Sequence, residues 1–323
     1  MREVVISETE ANQRLDKFLL KYLNKCHKNY LYKCFRTNKI KFNNKKAKGD
    51  EHLKPGDIIK IFLIDEQLEA LEEIKHIKEE ITFDVIYEDE NVLIVNKPLG
   101  LLTQKDYTNE VSLAEQVASY FYNDYKDTRG FKPAPCNRLD RNTAGIVLVG
   151  KNLLATQAIN EMLKNKYILK YYIAIVKGRL TSPITLKGYH IKDNFSNKVT
   201  ILDEPIAGAK AVETRITPLQ IKDNYTLVDI NLVTGKTHQI RAHLSHIDHP
   251  IIGDIKYGDK NINNYFKKKY NLNHQFLFAY KIKIDIALHP LEYLEERVFI
   301  VGAPSLYTQI FKEEGFLKSY KGE

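Results

Sequence analysis

A carboxylate between two arginines is the strongest chemical feature of the sequence. Residues 137–145 read NRLDRNTAG, so Asp140 lies between Arg138 and Arg141. Nearby positive charge favours an ionised carboxylate, and guanidinium groups also bind the phosphates of a nucleic-acid strand. The small residues at 143–145 would let another backbone or a substrate approach closely. The pattern indicates chemistry on a nucleotide, although a surface salt-bridge loop has the same local sequence.

A tyrosine on a predicted strand is the second candidate. Residues 170–178 read KYYIAIVKG, and alternation along a strand puts Lys170, Tyr172 and Ala174 on one face. Tyr172 would then stand beside a lysine and a small alanine, as in a pocket wall. A tyrosine in the core or at an interface would follow the same alternation.

An arginine early in a predicted helix is the third candidate. Residues 234–258 read TGKTHQIRAHLSHIDHPIIGDIKYG, with a turn followed by Thr237 as the expected N-cap. Arg241 could reach a carboxylate on another loop, whereas an exposed helical arginine is the alternative. The predicted buried stripe is Ile240, Leu244 and Ile247, and the neighbouring polar face is His238, Arg241 and Ser245.

Four histidines in the same segment raise the question of a metal site. Their spacing does not place three of them on one helical face, and no HExxH pattern occurs. We therefore expect no metal. The histidines are His238, His243, His246 and His249.

The elements that must position these residues mix helices and strands without regular βαβ alternation. This predicts an α+β fold. No glycine-rich nucleotide-binding pattern occurs, so no nucleotide cofactor is expected. Predicted helices cover 14–23, 30–36, 112–122 and 152–164; hairpins cover 40–46 and 83–97; strands cover 57–64, 145–149, 168–176, 226–233 and 282–287.

The positive charge is concentrated at one end of the chain. Residues 1–64 hold 15 Lys and Arg against 7 Asp and Glu, which equals the net charge of +8 of all 323 residues. A basic module on a neutral body is typical of nucleic-acid binding, although a solvated lysine-rich surface is the alternative. From residue 65 onward an acidic stretch predicts a linker over 65–82, or a solvated helix.

The remaining composition indicates a cytoplasmic protein of about two domains. There is no apolar run of membrane-spanning length and no apolar signal core near the N-terminus. The three cysteines show neither disulfide nor zinc spacing, which is typical of a reducing compartment. They are Cys26, Cys34 and Cys136.

Residues 12–64 resemble the S4 RNA-binding domain. The resemblance rests on Arg14-Leu15-Asp16, the hairpin at Ile40–Asn44, and Leu53–Asp57. Asparagines at 38 and 44 replace two glycines that are usual around the hairpin. The resemblance implies RNA binding over residues 1–64 through Arg14, Lys33, Arg36, Lys39, Lys41 and Lys45.

Most of the chain, to about Pro304, resembles the RluA-type RNA pseudouridine synthases. The resemblance rests on the order and spacing of four segments: NKP with Gly100, NRLDRNTAG, KYYIAIVKG, and TGKTHQIRAHL followed by HPIIGDIKYG. It implies a mixed or antiparallel sheet in a catalytic domain at 83–305, followed by a tail at 306–323. The chain departs from the family pattern at Asn137, Ala144, Lys236 and Phe278.

The resemblance also implies the site and the reaction. Asp140 would be the catalytic aspartate, Tyr172 would pack by the target base, and Arg241 would pair with the aspartate. Arg138 would accommodate the flipped nucleotide. The implied reaction isomerises uridine in RNA to pseudouridine, and it needs no cofactor because no redox step or group transfer occurs.

Two other functions and a second RNA target stay open on the sequence. One is a non-catalytic RNA-binding protein, such as a ribosome assembly factor on the same fold. The other is a glycosidase, which usually needs two carboxylates. An S4-like module favours large-subunit ribosomal RNA as the target, with transfer RNA as the alternative. Oligomeric state is not predicted.

Overall fold

A computed structural model describes residues 1–8, 10–71, 79–108, 110–122, 131–193 and 198–316. Buried apolar side chains between residues 6 and 68 form one core. Those from residue 83 onward form the others. None of the described helices is long and apolar enough to cross a membrane.

The N-terminal unit packs two helices on a four-stranded antiparallel sheet. Leu15, Phe18 and Leu19 of the first helix are fully buried against this sheet and the second helix. The hairpin turn is made by Asn43 and Asn44 with φ of 48° and 62°, a left-handed conformation that asparagine tolerates. The elements are β1 (Arg2–Val5), α1 (Leu15–Tyr22), α2 (Lys28–Arg36), β2 (Ile40–Phe42), β3 (Lys45–Lys46) and β4 (Ile58–Ile61).

The predicted acidic linker begins as a helix, α3 (Asp65–Leu71). Leu68 is fully buried in the N-terminal core, so the start of this segment belongs with the N-terminal unit. The rest of the predicted linker lies partly outside the described residues, at 72–78.

The second unit is built around one large mixed sheet, in agreement with the predicted α+β class. Its strand order is β11-β10-β12-β13-β9-β14-β8-β6-β5, with β7 beside β8 and β15 beside β14. The strands are β5 (Asp84–Glu88), β6 (Val92–Lys97), β7 (Ala134–Pro135), β8 (Ala144–Gly150), β9 (Ile168–Lys177), β10 (Ile184–Asp193), β11 (Lys198–Leu202), β12 (Lys210–Lys222), β13 (Tyr225–Leu232), β14 (Leu277–Ile284) and β15 (Val298–Ile300).

Helices cover both faces of this sheet. On β8, Val147 and Val149 join one core, while Ile146 and Leu148 join the other. Because both faces are buried, β8 is a continuous apolar run and not an alternating one. The helices are α4 (Leu113–Tyr120), α5 (Leu153–Lys164), α6 (Gln239–His246), α7 (Lys260–Tyr270) and α8 (Ser305–Glu313).

The pairing of β8 with β14 is parallel, whereas the other strand pairs are antiparallel. Ala279 of β14 lies opposite Gly145 of β8 on one side and Tyr172 of β9 on the other. The register therefore aligns two of the three candidate segments across adjacent strands. Gly145 has φ of +122°, and a Cβ there would lie 2.1 Å from the carbonyl oxygen of Ala279. Glycine at position 145 therefore allows the backbones of β8 and β14 to approach each other closely.

Two predicted boundaries were wrong. The strand predicted at 282–287 is β14, Leu277–Ile284, because residues 277–280 are buried on both faces and so lack the alternation that marks a strand. The segment predicted as a tail from residue 306 contains α8. Tyr307 and Ile310 of this helix are fully buried in the main core, and residues 317–323 lie outside the described residues.

Gly145→Ala should lower the free energy of unfolding by about 3 kcal/mol or more, because a strained backbone and a clash with fixed backbone atoms add together. Urea unfolding followed by circular dichroism measures this. Gly208→Ala is the control, since Gly208 has φ of +83° but no heavy atom near its Cβ position, and only the backbone strain of about 1–2 kcal/mol applies. Equal losses for both variants would contradict the packing argument.

Candidate active site

The loop that carries Asp140 is pinned on both sides of the carboxylate. Before it, the Thr103 hydroxyl donates to the Leu139 carbonyl at 2.8 Å and accepts from the Leu139 N–H at 3.1 Å. After it, Lys97 Nζ donates to the carbonyl of Arg141 at 3.1 Å. These bonds hold the backbone around Asp140 at the entry to β8.

Lys97 is a fully buried lysine whose ammonium is satisfied by backbone. It also donates to the carbonyls of Pro98 at 3.0 Å and Leu101 at 2.7 Å. Burial lowers the pKa of Lys97 to about 7, against the opposing charge of Asp140. The three carbonyl partners lie on the loop after β6 and on the loop that carries Asp140, so Lys97 links these two loops. Its ammonium does not line the cavity.

The arginines next to Asp140 in the sequence do not surround its carboxylate, contrary to the prediction from NRLDRNTAG. Arg141 turns away and donates to Glu110 Oε1 at 3.0 Å and to the Gly100 carbonyl at 3.1 Å. Arg138 is exposed, lines the cavity and forms no ion pair within the described residues. The cation that meets Asp140 comes from a distant helix.

Arg241 of α6 is that cation, as predicted from its place early in the helix. Its Nη1 donates to Asp140 Oδ2 at 3.0 Å. Its Nε and Nη2 donate to Asp254 Oδ2 and Oδ1 at 2.7 and 2.9 Å. Burial alone would lower the pKa of Arg241, but the two carboxylates outweigh burial and raise it. Arg241 is 8% exposed, so the exposed-arginine alternative is wrong.

Asp254 is the residue of this site that the sequence analysis missed. It is fully buried, and its Oδ1 also accepts the backbone N–H groups of Lys256 and Tyr257 at 2.9 and 3.0 Å. The available signal was an acid directly after the apolar run at 250–253. A buried arginine requires such a partner, because an unpaired buried charge is costly.

His238 lies beside the ion pair in a left-handed conformation at φ of 52°. His238 is the N-cap of α6, which begins at Gln239. The prediction of Thr237 as the N-cap was therefore wrong. The Tyr257 hydroxyl accepts the Val199 N–H at 2.7 Å and bonds His238 Nδ1 at 3.0 Å.

We assign the Tyr257 proton to the bond with His238, so the ring proton of His238 is on Nε2. This nitrogen faces Asp140 Oδ2 at 3.9 Å. Burial lowers the pKa of His238 to about 4, against the opposing charge of Asp140. The imidazole is therefore neutral near pH 7 and presents an N–H to the site.

The other histidines of this segment diverge. His243 bonds the Thr214 hydroxyl, His246 bonds Asp203, and His249 bonds the Lys177 carbonyl. Among the described residues, no three His, Cys, Asp or Glu side chains come together as metal ligands. Ser245 bonds the carbonyl of Tyr257.

Tyr172 completes the cavity wall and is 5% exposed. Burial raises the pKa of Tyr172, and the charge of Asp140 raises it further, so the phenol is protonated at neutral pH. Tyr172, Asp140 and Arg241 line one cavity of about 590 Å³. The structure thus brings the three predicted catalytic residues together, with Asp140 as the one carboxylate among the described lining residues.

The predicted RNA-binding residues of the N-terminal unit are mostly exposed. Arg14 pairs with Asp16 at 3.0 Å, and Lys41 stacks on the ring of Phe62 at 5.4 Å. Lys39 and Lys41 are half-buried. Lys33, Arg36 and Lys45 are exposed and form no ion pair within the part of the chain that the structure describes.

Asp254→Asn should lower the free energy of unfolding by about 3–5 kcal/mol, because it leaves the buried guanidinium of Arg241 without its main counter-charge. Denaturant unfolding measures the loss. The control is Glu110→Gln, which breaks the exposed ion pair of Arg141 and should cost less than about 1 kcal/mol. A stability for Asp254→Asn like that of the control would show that this pair does not hold the site together.

Comparison with known proteins gives the same picture. A sequence model of RNA pseudouridylate synthase matches residues 91–246. The human RNA Pseudouridylate Synthase Domain Containing 4 superimposes with a TM-score of 0.57 at 20% identity, covering 72% of this chain and 92% of that one. The human Domain Containing 1 protein gives 0.51 at 19% identity, over 75% and 98%. These structures show a shared fold.

Sequence relatives extend the likeness over the whole chain. The ribosomal large subunit pseudouridine synthase C of Buchnera aphidicola subsp. Baizongia pistaciae is 32% identical over 313 residues, 94% of this chain and 93% of the relative. The Haemophilus ducreyi protein of the same name is 32% identical over 306 residues, 92% and 90%. The chain belongs to the RNA pseudouridylate synthase family and is an RNA pseudouridine synthase, an isomerase.

Proposed function

We propose that this enzyme converts uridine to pseudouridine in large-subunit ribosomal RNA, with Asp140 as its catalytic carboxylate. The observation that carries the proposal is that Asp140, which Arg241 binds at 3.0 Å, is the one carboxylate among the described residues that line the cavity. The target RNA follows from the relatives, which are named as ribosomal large subunit synthases.

The geometry of Asp140 supports a reactive role. Arg241 binds Oδ2, while Oδ1 accepts no hydrogen bond from a described residue. One oxygen is therefore oriented and the other is free to meet the nucleotide. Such preorganised charge is an effective form of catalysis. Asp140 could attack the ribose, attack the base or abstract a ribose proton. Each of these three steps requires a free carboxylate oxygen that faces the nucleotide, so the proposal holds for all of them.

The proposed reaction rearranges bonds within one nucleotide. The N1–C1′ bond breaks, the uracil turns, C5 bonds to C1′, and the C5 proton is finally replaced by one on N1. Every atom of uracil and ribose is kept, so no external group has to be supplied. Tyr172 would pack on the base as a protonated phenol, and the uridine must be flipped to enter, at a cost of a few kcal/mol.

The absence of a second lining carboxylate among the described residues argues against glycoside hydrolysis. Asp254, the other acid nearby, is fully buried behind Arg241. Hydrolysis with two carboxylates needs both groups to face the sugar. Isomerisation needs only the one that faces the cavity.

We also propose that residues 1–64 form an S4-like module that anchors RNA, followed by a catalytic domain from residue 83. The supporting observations are the separate core of the module and the exposed cations Lys33, Arg36 and Lys45. Phosphate contacts by such residues would help offset the cost of flipping the target uridine.

Asp140→Asn should abolish pseudouridine formation, by at least about 10³-fold if the carboxylate reacts covalently or as a base. Fold and RNA affinity should persist, because Arg241 keeps both bonds to Asp254. The assay is chemical mapping of pseudouridine in ribosomal RNA and in transfer RNA from cells that lack the gene, incubated with the wild type or with the variant. Turnover like that of the wild type would end the assignment, and modification confined to transfer RNA would overturn the target.

Replacing Lys33, Arg36 and Lys45 with Gln should weaken RNA binding and reduce the slope of log affinity against log salt by about 2, since each lost phosphate contact contributes about 0.7–0.9. Filter binding between 50 and 300 mM salt (roughly the range where such slopes are read) measures this. The matched control replaces Lys260, Lys267 and Lys268 of α7 with Gln, which removes the same charge elsewhere. Equal slopes in both variants would refute the anchor.

A further inference from the structure

Four described lysines line the cavity without a role in the site so far, Lys164, Lys166, Lys170 and Lys236. Two of them, Lys170 and Lys236, lie on the strand that carries Tyr172 and on the turn before the helix that carries Arg241. Lys170 lies on β9, two residues before Tyr172 and on the same face of the strand. The Cα atoms of the two residues are therefore about 7 Å apart. Lys236 comes from the turn before α6, and both line the cavity. A Cβ at Gly235 would lie 3.3 Å from Lys170 Nζ. Gly235 has no positive φ, so its missing side chain makes room for this ammonium.

Lys170 has no anionic partner among the residues that the structure describes. Within the described part of the chain it forms neither an ion pair nor a hydrogen bond, although it is mostly buried. Burial and, to a smaller extent, the charge of Lys236 together lower the pKa of Lys170 to about 8. A buried ammonium beside a second cation is unfavourable. Lys97, which is more deeply buried, has three carbonyl partners, whereas Lys170 has none among the described residues.

The turn that carries Lys236 is held in place. Gln239 Oε1 accepts the Lys236 N–H at 3.1 Å and the Thr234 hydroxyl at 2.9 Å. Gln239 Nε2 donates to the Glu213 carbonyl at 3.0 Å. Gln239 is almost fully buried. The two lysines therefore belong to a fixed strand and a fixed turn, which is the arrangement of a preformed site.

We propose that Lys170 and Lys236 bind a phosphodiester of the substrate RNA next to the nucleotide held at Tyr172 and Asp140. An anion is the ligand that both lysines lack, and Asp140 does not supply it because Arg241 binds that carboxylate. A phosphate is the anion that accompanies every uridine of an RNA strand. This inference rests on the proposed action on RNA, and it adds a subsite that draws the target nucleotide into the cavity.

The test compares ligands that differ only in phosphate. Ligand-observed NMR titrations use uridine, uridine 5′-monophosphate, uridine 3′-monophosphate and inorganic phosphate. Wild-type enzyme should bind at least one monophosphate about 5-fold or more tightly than uridine, equivalent to one charge-assisted contact. Lys170→Met should remove this preference, whereas Lys170→Arg should keep most of it. A preference that survives Lys170→Met overturns the proposal.

Two further variants separate a local contact from general charge. Lys164→Met removes an exposed lysine that lines the same cavity and should leave the preference within 2-fold (about 0.4 kcal/mol). Lys236→Met, also at an exposed position, should reduce it by half or more. If Lys164→Met has the larger effect, the subsite is refuted. Inorganic phosphate bound as tightly as the monophosphates would show a free-anion site and equally refute it.

Stability gives an independent readout. Because Lys170 has no partner to lose, Lys170→Met should keep or raise the melting temperature, as expected for a residue retained for binding. A melting temperature lowered by about 5 °C or more would show that Lys170 is structural and overturn the inference. The titrations need no modified RNA, so they remain decisive even if ribosomal RNA proves not to be the target.

Discussion

The site depends on one buried guanidinium. Arg241 has three donor nitrogens in contact with carboxylates, two bound by Asp254 and one left for Asp140. Asp254 is itself fixed by two backbone N–H groups, so the fork of Arg241 has one orientation. An unpaired buried cation is unfavourable. The fixed guanidinium of Arg241 therefore also fixes the position of the Asp140 carboxylate. The Asp140 carboxylate is thus positioned through Arg241 from the 254–257 loop, more than a hundred residues away in the chain.

The sheet supplies the other half of the constraint. The parallel seam between β8 and β14 places Gly145, Ala279 and Tyr172 in one row across three strands. A side chain at 145 would force the strands apart. The loop that carries Asp140 can then lie at the same cavity as Tyr172. Lys97 and Thr103 bind the backbone of this loop. Precise placement of the carboxylate therefore comes from backbone packing as much as from charge.

Local pattern predicted much of this arrangement, and its failures have physical causes. The helices at α1, α4 and α5 were predicted because apolar spacing and caps such as Ser112 and Asn152 are local signals. Which arginine meets Asp140 depends on tertiary structure. Proximity in sequence suggested Arg138 and Arg141, whereas the family resemblance named Arg241, which is the arginine that binds Asp140. Asp254 escaped notice because its importance comes only from being buried against Arg241. The strands β10, β11 and β12 were not predicted at all, and they form one end of the sheet.

The four departures from the family pattern now divide by environment. Ala144 and Phe278 are both buried and lie opposite each other in the parallel seam. Both side chains are apolar, so neither position places a polar side chain in this buried part of the sheet. Asn137 bonds the backbone of β8 through both ends of its amide, which fixes the strand. Lys236 is different, because its side chain is exposed at the cavity beside Lys170. Of the four, Lys236 is the position where a change of residue alters the exposed surface of the cavity and leaves the packing of the framework intact.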